Sequence, residues 1–282
     1  MKYKSLIDDK KKQRVRDAIA KGDTSIFRKK KVEPSYRGEK TPMISQEERN
    51  SQLIQAVKDR NTIVVKEAIA QGADVNTQSD GWSVLHFIFP TIPADSESLE
   101  IVELLISAGA DINAKGGPLG RTMLIMAAET GEIELFKLLV SKGADLEIKD
   151  DDSEGTALVW AVQSDNTDKV RLLIEKGADV NAKNNLGRTP LVNLSCHSPE
   201  RFAETANLFI ALIADVNAAD KWGVTALINL AKSNKLEGIE LLVSHGADVN
   251  MADGTGKTAL SHAISHGHDE VAKFLKKHGA IE

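Results

Sequence analysis

Three short groups of residues have the types and spacing that could do chemistry. Gly256-Lys257-Thr258 matches the end of a phosphate-binding loop, in which backbone N–H groups and a lysine hold phosphate oxygens. That loop requires another glycine five residues before Gly256, where this chain has Met251, and it also requires a preceding buried strand. Neither requirement is met, so the sequence argues against nucleotide binding here.

The second group consists of histidines. His262 and His266 are four residues apart, which is the helical spacing of two metal ligands, and His268 follows closely. No cysteine or carboxylate completes a ligand set at a defined spacing, because Asp269 and Glu270 head the next helix. We therefore predict that these histidines bind no metal.

The third group is Cys196 with His197 beside it, a nucleophile next to a base. Neighbouring side chains in a helix or turn point apart, and no third group can be named that would orient the histidine. Cys196 is also the only cysteine in 282 residues, which fits a reducing compartment. No other catalytic constellation stands out, so we predict a protein that is not an enzyme and needs no cofactor.

The charges are distributed unevenly along the chain. Residues 1–50 hold 15 Lys/Arg and 8 Asp/Glu, whereas the rest holds 21 Lys/Arg and 33 Asp/Glu, an acidic excess of 12. The acidic part argues against nucleic acid as its partner and favours a basic protein. No apolar run reaches the ~20 residues of a membrane span, and no secretory signal begins the chain. We expect a cytoplasmic monomer that binds no membrane, with nuclear or host-cell delivery left open.

Residues 1–45 form a basic leader. Lys10 to Arg14 and Arg28 to Lys31 are basic runs, which indicate either a solvated and partly disordered segment or a nuclear-import or anion-binding patch. Between them, residues 15–23 echo the helix that ends at Gly72, so the leader is alternatively a degenerate helical cap on the array that follows.

One loop recurs through the rest of the chain. It starts with Gly-Ala-Asp in most copies, and a variant copy has isoleucine in place of the glycine. The copies begin at Gly72, Gly109, Gly143, Gly177, Ile213, Gly246 and Gly279. Their spacing of 33 to 37 residues indicates that one supersecondary unit is repeated.

A second signature opens the first helix of each unit, as in Gly187-Arg188-Thr189-Pro190-Leu191. Glycine permits a turn with positive φ, threonine caps the helix, proline fits its first turn, and leucine begins the buried stripe. The second helix carries apolar pairs and ends at the glycine of the recurring loop, where a left-handed cap is expected. The signature also occurs at Gly81, Gly120, Gly223 and Gly256, and in the unit of Gly155 the glycine is displaced by one residue.

These two signatures resemble the ankyrin repeat over residues 46–282. The resemblance implies an all-α solenoid of stacked antiparallel helix pairs, with β-hairpin loops that project as fingers from the connections. The expected repeats span approximately residues 46–79, 80–115, 116–150, 151–184, 185–219, 220–253 and 254–282.

Three features depart from the family pattern. Loops are inserted between the helices at residues 89–96 and 198–201, where they decorate one edge and are either partner-specific or neutral additions. Ile213 occupies a glycine position, where positive φ would cost about 1–2 kcal/mol unless the helix ends differently. We expect Ile213→Gly to raise the melting temperature if the loop keeps the left-handed cap.

The resemblance also implies which residues face a partner. Counting from the threonine, the fifth position faces the concave groove in ankyrin stacks, and two further slots, before the threonine and before the glycine, lie on the fingers. The groove slot holds Phe87, Met126, Trp160, Asn193, Asn229 and His262. The finger slots hold Trp82, Arg121, Arg188, Val224 and Lys257, and also Leu119, Leu186 and Trp222.

We therefore expect a protein-recognition module in which Trp82, Trp160 and Trp222 are apolar anchors and Arg121 and Arg188 make polar contacts. Tryptophan and arginine are enriched among the residues that dominate interface energies. The alternative in which Trp160 and Phe87 pack between repeats, while the other tryptophans brace the fingers, stays open. Two further interpretations are a small-ligand or nucleotide sensor that uses the same tryptophans, with a deep pocket near Trp160, and a bacterial effector or immunity protein that masks a basic partner.

Overall fold

The computed structural model describes residues 44–89, 95–194, 199–211 and 214–282, with the backbone alone at 199–201. Residues 44–282 form one compact unit. The predictions made for the leader up to residue 43, for Ile213, for Cys196 and His197, and for the inserted residues 90–94 and 198 lie outside the described residues. Within the described residues, no helix is long and apolar enough to cross a membrane.

In the described ranges, short helices alternate in pairs, and two small antiparallel strand pairs lie between them. The first part of the chain contains α1 (Gln46–Lys58), α2 (Thr62–Ala70), β1 (Gln78–Ser79), β2 (Trp82–Ser83), a 3₁₀ helix (Val84–Ile88), α3 (Ser96–Ser107), β3 (Lys115–Gly116), β4 (Arg121–Thr122), α4 (Met123–Glu129) and α5 (Ile133–Ser141). The second part contains α6 (Ala157–Gln163), α7 (Thr167–Glu175), α8 (Pro190–Leu194), α9 (Pro199–Ile210), α10 (Ala226–Lys232), α11 (Leu236–Ser244), α12 (Ala259–Ser265) and α13 (Asp269–Lys277).

Successive pairs stack in register. The first helices of consecutive pairs pack on each other, as α4, α6, α8, α10 and α12 do, and the second helices form a parallel outer row from α2 to α13. Short side chains fill the space between them, and the buried residues form one continuous core of mainly alanine, leucine, isoleucine and valine. The expected all-α solenoid of helix pairs with projecting hairpin loops is therefore confirmed.

The threonine of the helix signature caps most inner helices as expected. Thr122, Thr189, Thr225 and Thr258 each accept a hydrogen bond from the backbone N–H three residues later. Such a cap is typically worth ~1 kcal/mol. Thr156 is an exception, since its buried hydroxyl has no partner among the described residues.

The glycines of the recurring loop end the outer helices in the left-handed conformation that the sequence predicts. Gly72, Gly109, Gly143, Gly177, Gly246 and Gly279 all have φ between 83° and 96°. The inner helix of the second pair differs from its counterparts because it is a 3₁₀ helix at Val84–Ile88.

Asparagine side chains join the loops of successive repeats. Asn217 Oδ1 accepts from the backbone N–H of Asp248 at 2.8 Å, and Asn250 repeats the contact with Ile281 at 2.9 Å. Asn76, Asn113 and Asn181 do the same along the array, and Glu147 replaces asparagine in one loop. Each repeat is thereby held to the next by a bond that the period-33 spacing makes regular.

Candidate functional site

Six projecting turns, here called fingers 1 to 6, lie side by side along the array. They comprise residues 78–83, 115–122, 150–156, 184–189, 219–225 and 252–258. From finger 2 onward, a backbone N–H of each finger donates to a carbonyl near the tip of the preceding one. The pairs are Gly117 to Gly81, Asp151 to Leu119, Asn185 to Ser153, Lys221 to Leu186 and Gly254 to Trp222, at 2.7 to 2.9 Å. The fingers thus form a continuous row that is fixed by main-chain bonds.

Buried acidic or amide side chains close the turns of the later fingers. Asp253 Oδ1 accepts from the backbone N–H of Thr255 at 2.9 Å and of Lys257 at 3.2 Å, and the Thr255 hydroxyl donates to it at 2.6 Å. Burial alone would raise the pKa of Asp253, but the hydrogen bonds from Thr255, His262 and Lys257 outweigh it and hold the pKa well below its ordinary value. Asp150, Asn184 and Asp220 close their own fingers in the same manner.

This arrangement explains why Gly256-Lys257-Thr258 is not a phosphate cradle. The backbone N–H of Lys257 is directed at the Asp253 carboxylate, and that of Gly256 donates to the Asp253 carbonyl at 2.8 Å. An anion placed at this turn would meet a buried carboxylate instead of free donors.

Trp160 connects its inner helix to finger 3. Its indole N–H donates to Asp150 Oδ2 at 2.7 Å, and Asp150 is buried. A Cβ at position 155 would lie 2.9 Å from the indole nitrogen, so this close approach requires glycine at Gly155. The displaced glycine noted in the sequence therefore has a steric cause, and Glu154, the residue before it, takes the positive φ of 52° that glycine has in the other fingers.

Arg121 of finger 2 lies over Trp160. Its guanidinium carbon is 4.0 Å from the ring centre, and its Nη1 pairs with the Glu129 carboxylate. A cation at this distance from an indole face stabilises the pair by ~0.5–1 kcal/mol or more. The two residues, which the sequence predicts as separate contacts for a partner, therefore form one internal unit.

The predicted groove slot divides into two kinds of position. Phe87, Met126, Trp160 and Asn229 are half-buried, whereas Asn193 and His262 are each only 7% exposed. His262 Nε2 lies 2.7 Å from Asp253 Oδ2, so this histidine braces finger 6 in the way that Trp160 braces finger 3. In the part of the chain that the structure describes, no group of three His, Cys, Asp or Glu residues could hold a metal.

A cavity of about 300 Å³ opens where the groove meets fingers 1 and 2. Its lining is mainly apolar and consists of Trp82, His86, Phe87, Phe89 and Met126. The Lys58 ammonium lies 4.3 Å from the centre of the Phe87 ring, at the side of this cavity. Aromatic side chains and methionine are the lining expected of a pocket that takes an apolar group.

The residues before the finger glycine lie at the finger tips. Trp222 is 54% exposed and Leu119 is 37% exposed, while Leu186 is half-buried. Their carbonyls all accept the bonds of the finger row, so these side chains project from fixed backbone. The Arg188 guanidinium lies 5.9 Å from the Trp222 ring and donates to buried Asp220 at 3.2 Å. Val224 is half-buried and Lys257 is exposed.

The sequence reasoning missed Lys169, which is fully buried in α7. Its ammonium donates to the carbonyls of Ala127, at 2.7 Å, and Thr130, at the end of α4 in the preceding repeat. Burial lowers the pKa of Lys169 to about 8, although the nearby Glu132 carboxylate raises it. The sequence did contain one signal. In the register of the repeats, Lys169 occupies the position that buried apolar residues such as Leu135 occupy in other second helices.

Comparison with known families agrees with this geometry. Residues 91–184 and 194–281 match the family model described as ankyrin repeats, three copies, and these two segments cover more than half of the chain. No curated protein matches the chain.

Proposed function

This chain belongs to the ankyrin repeat family, and we propose on that basis that it is a non-enzymatic module that binds a partner protein through its groove and fingers. Ankyrin repeats generally mediate protein–protein interaction, and the family is generally not enzymatic. We further propose that the protein acts as a cytoplasmic monomer. The basic partner that the net charge favours remains a prediction.

The combination of a fixed finger row and exposed apolar groups on it carries the proposal. The half-exposed Trp222 ring at the tip of finger 5 and the apolar cavity beside fingers 1 and 2 provide two separated anchor points. A surface whose backbone is already ordered loses little conformational freedom on binding, which favours affinity. Exposed aromatic groups at such positions are also typical of interface hot spots.

The internal contacts change the expected roles of the anchors. Arg121 stacks on the Trp160 ring, and each of the two residues also bonds a carboxylate of this chain, so we assign them to the stability of fingers 2 and 3. Trp222 and the cavity residues Trp82, Phe87 and Met126 then provide the partner contacts.

Substitutions in the anchors test the proposal. Peptides selected from a displayed random library on the wild-type protein are expected to bind at least about tenfold more weakly to Trp222→Ala or to Met126→Glu. Arg171→Ala, on an exposed face of the outer helix α7, is the matched control and should leave affinity unchanged. If every selected peptide binds the three folded variants as tightly as wild type, the groove and fingers are not the binding surface.

A small-ligand sensor is the second candidate because a real cavity exists. Its volume of about 300 Å³ lies at the lower end of ligand pockets, and it lies at Trp82, whereas the ring of Trp160 is covered by Arg121. A thermal shift with a nucleotide or apolar ligand panel that is lost in Met126→Glu would support this candidate. An effector or immunity role would be a subtype of the protein-binding proposal.

A further inference from the structure

The tips of fingers 4 to 6 carry charge of the opposite sign to the repeat body. Lys183, immediately before finger 4, and Lys221 and Lys257 on fingers 5 and 6 are exposed, and none has an ion-pair partner among the described residues. The carboxylates of these tips, Asp220 and Asp253, are buried inside their own turns. This surface, residues 183–188, 219–224 and 252–257, is called the basic strip below.

The preceding fingers have a different charge pattern. Asp80 is exposed on finger 1, and Asp151, Asp152 and Glu154 are exposed on finger 3. Lys115 of finger 2 is already paired with Asp151 of finger 3 at 2.6 Å. The finger row therefore changes from acidic or balanced to basic between residues 154 and 183.

Screening decides which charges a bound partner experiences. At physiological ionic strength the Debye length is about 8 Å, so a carboxylate bound at a finger tip interacts mainly with the lysines beside it. The acidic excess of the whole body acts mostly at longer range and is screened. A segment bound at the basic strip therefore interacts mainly with the positive charge of the strip itself.

We propose that the basic strip binds an acidic segment of the partner protein, with carboxylates opposite Lys183, Lys221 and Lys257 and an apolar side chain on the Trp222 ring. This proposal rests on the proposed function, because it names the chemistry of the partner at the same surface. Trp222 lies in the middle finger of the strip, and Arg188 is 5.9 Å from its ring. An apolar contact flanked by ammonium groups suits a segment in which acidic residues flank an aliphatic or aromatic one.

A nucleic acid fits the strip less well. Its phosphates continue at every nucleotide, so a strand lying along the row would meet the exposed carboxylates of finger 3. A peptide can confine its negative charge to the length of three fingers, and the observations therefore favour a polypeptide.

A displayed library of random peptides, selected on the wild-type protein, tests the proposal. We expect enriched peptides to carry an excess of Asp and Glu around an apolar residue. Their affinity should fall at least about tenfold in the triple variant Lys183→Glu, Lys221→Glu, Lys257→Glu. The control variant Lys176→Glu, Lys273→Glu, Lys277→Glu changes the net charge equally on outer helices and should keep most of the affinity.

The outcomes separate the two proposals. Enriched peptides that depend on Trp222 but are neutral or basic, or that tolerate the triple variant, would overturn the acidic-segment proposal and leave the groove function standing. A failure of any peptide to enrich would overturn both. A labelled oligothymidine that binds more tightly than the selected peptides, and that loses affinity in the triple variant only, would identify the strip as a nucleic-acid site and also overturn the proposal.

Discussion

The guanidinium of Arg121 lies over the ring of Trp160 at 4.0 Å, and the N–H of that ring donates to Asp150 at 2.7 Å. One side chain of an inner helix therefore holds finger 2 from one side and finger 3 from the other. Both residues are in positions that face a partner in the family pattern, yet the Trp160 indole N–H and the Arg121 Nη1 already bond carboxylates of this chain.

Trp160→Phe is expected to lower the free energy of unfolding by about 1–2 kcal/mol, because it leaves the buried Asp150 without one of its donors while it keeps an aromatic ring under Arg121. Urea unfolding followed by circular dichroism measures the change. Trp222→Phe, which removes no described side-chain hydrogen bond, is the matched control and should unfold with wild-type stability. Equal stability of all three proteins would show that the indole bond contributes nothing.

Glu154→Gly is expected to stabilise the protein by about 0.5–1 kcal/mol. Glu154 has a φ of 52° in an exposed position, and relief of that strain exceeds the extra entropy that glycine has in the unfolded chain. The melting temperature and the urea midpoint should both rise. Glu154→Ala keeps the Cβ and should bring no gain, so a gain as large as that of glycine would assign the effect to the lost carboxylate.

Lys169 gives the protein a pH dependence in the alkaline range. Its pKa is about 8 in the folded protein and 10.5 ordinarily, so the unfolded chain binds more protons between these values. Stability should therefore rise with pH through this window, by at most about 3 kcal/mol, whereas below pH 8 the full cost of burying the charge is present. Urea unfolding from pH 7 to pH 10 measures the trend.

Lys169→Met tests whether Lys169 causes this pH dependence. At pH 7 the variant removes the cost of the buried charge and also the donor to the carbonyls of Ala127 and Thr130, so these two effects oppose each other, and the decisive result is that the alkaline rise should disappear. Lys137→Met on the surface of α5 should retain the rise. A rise that persists in the Lys169 variant would place its origin elsewhere.

Asp253→Asn tests how the stability of the protein depends on pH in the acidic range. Since the pKa of Asp253 is lowered in the folded state, its carboxylate stabilises the protein above the ordinary value of 3.8 and loses that contribution as the pH falls further. The variant should be less stable by about 2 kcal/mol at pH 7, and the gap should narrow below pH 3.8. Glu240→Gln, at an exposed position of α11, should follow wild type throughout. A gap that stays constant down to pH 2 would show that the charge of Asp253 is not what stabilises finger 6.

The repeat period was sufficient to predict the stacked helix pairs, because each signature residue affects only the helix end at which it lies. Thr189 caps the helix that it begins, and Gly246 ends the helix before it, so neither depends on distant residues. The contacts of Trp160 and Lys169 could not be predicted in the same way. Trp160 bonds Asp150 because the turn of finger 3 places that carboxylate beside the indole. Lys169 donates to carbonyls about 40 residues earlier in the chain, and no local pattern indicates that contact.

The charge of the basic strip also depends on the folded structure and not on local sequence alone. Asp220 and Asp253 count fully in the net charge of the sequence, yet burial inside their turns removes them from the surface. The sign of the exposed fingers therefore follows from the folded turns and not from composition.

The finger row also implies how the array responds to salt. Main-chain bonds of 2.7 to 2.9 Å link the fingers, whereas ion pairs between exposed side chains, such as Lys66–Glu100 and Arg171–Glu204, are among the links along the outer helices. Salt screens the exposed pairs, whereas it has little effect on main-chain bonds between neutral groups. The row of fingers should therefore keep its spacing at an ionic strength that already weakens the ion pairs between the outer helices.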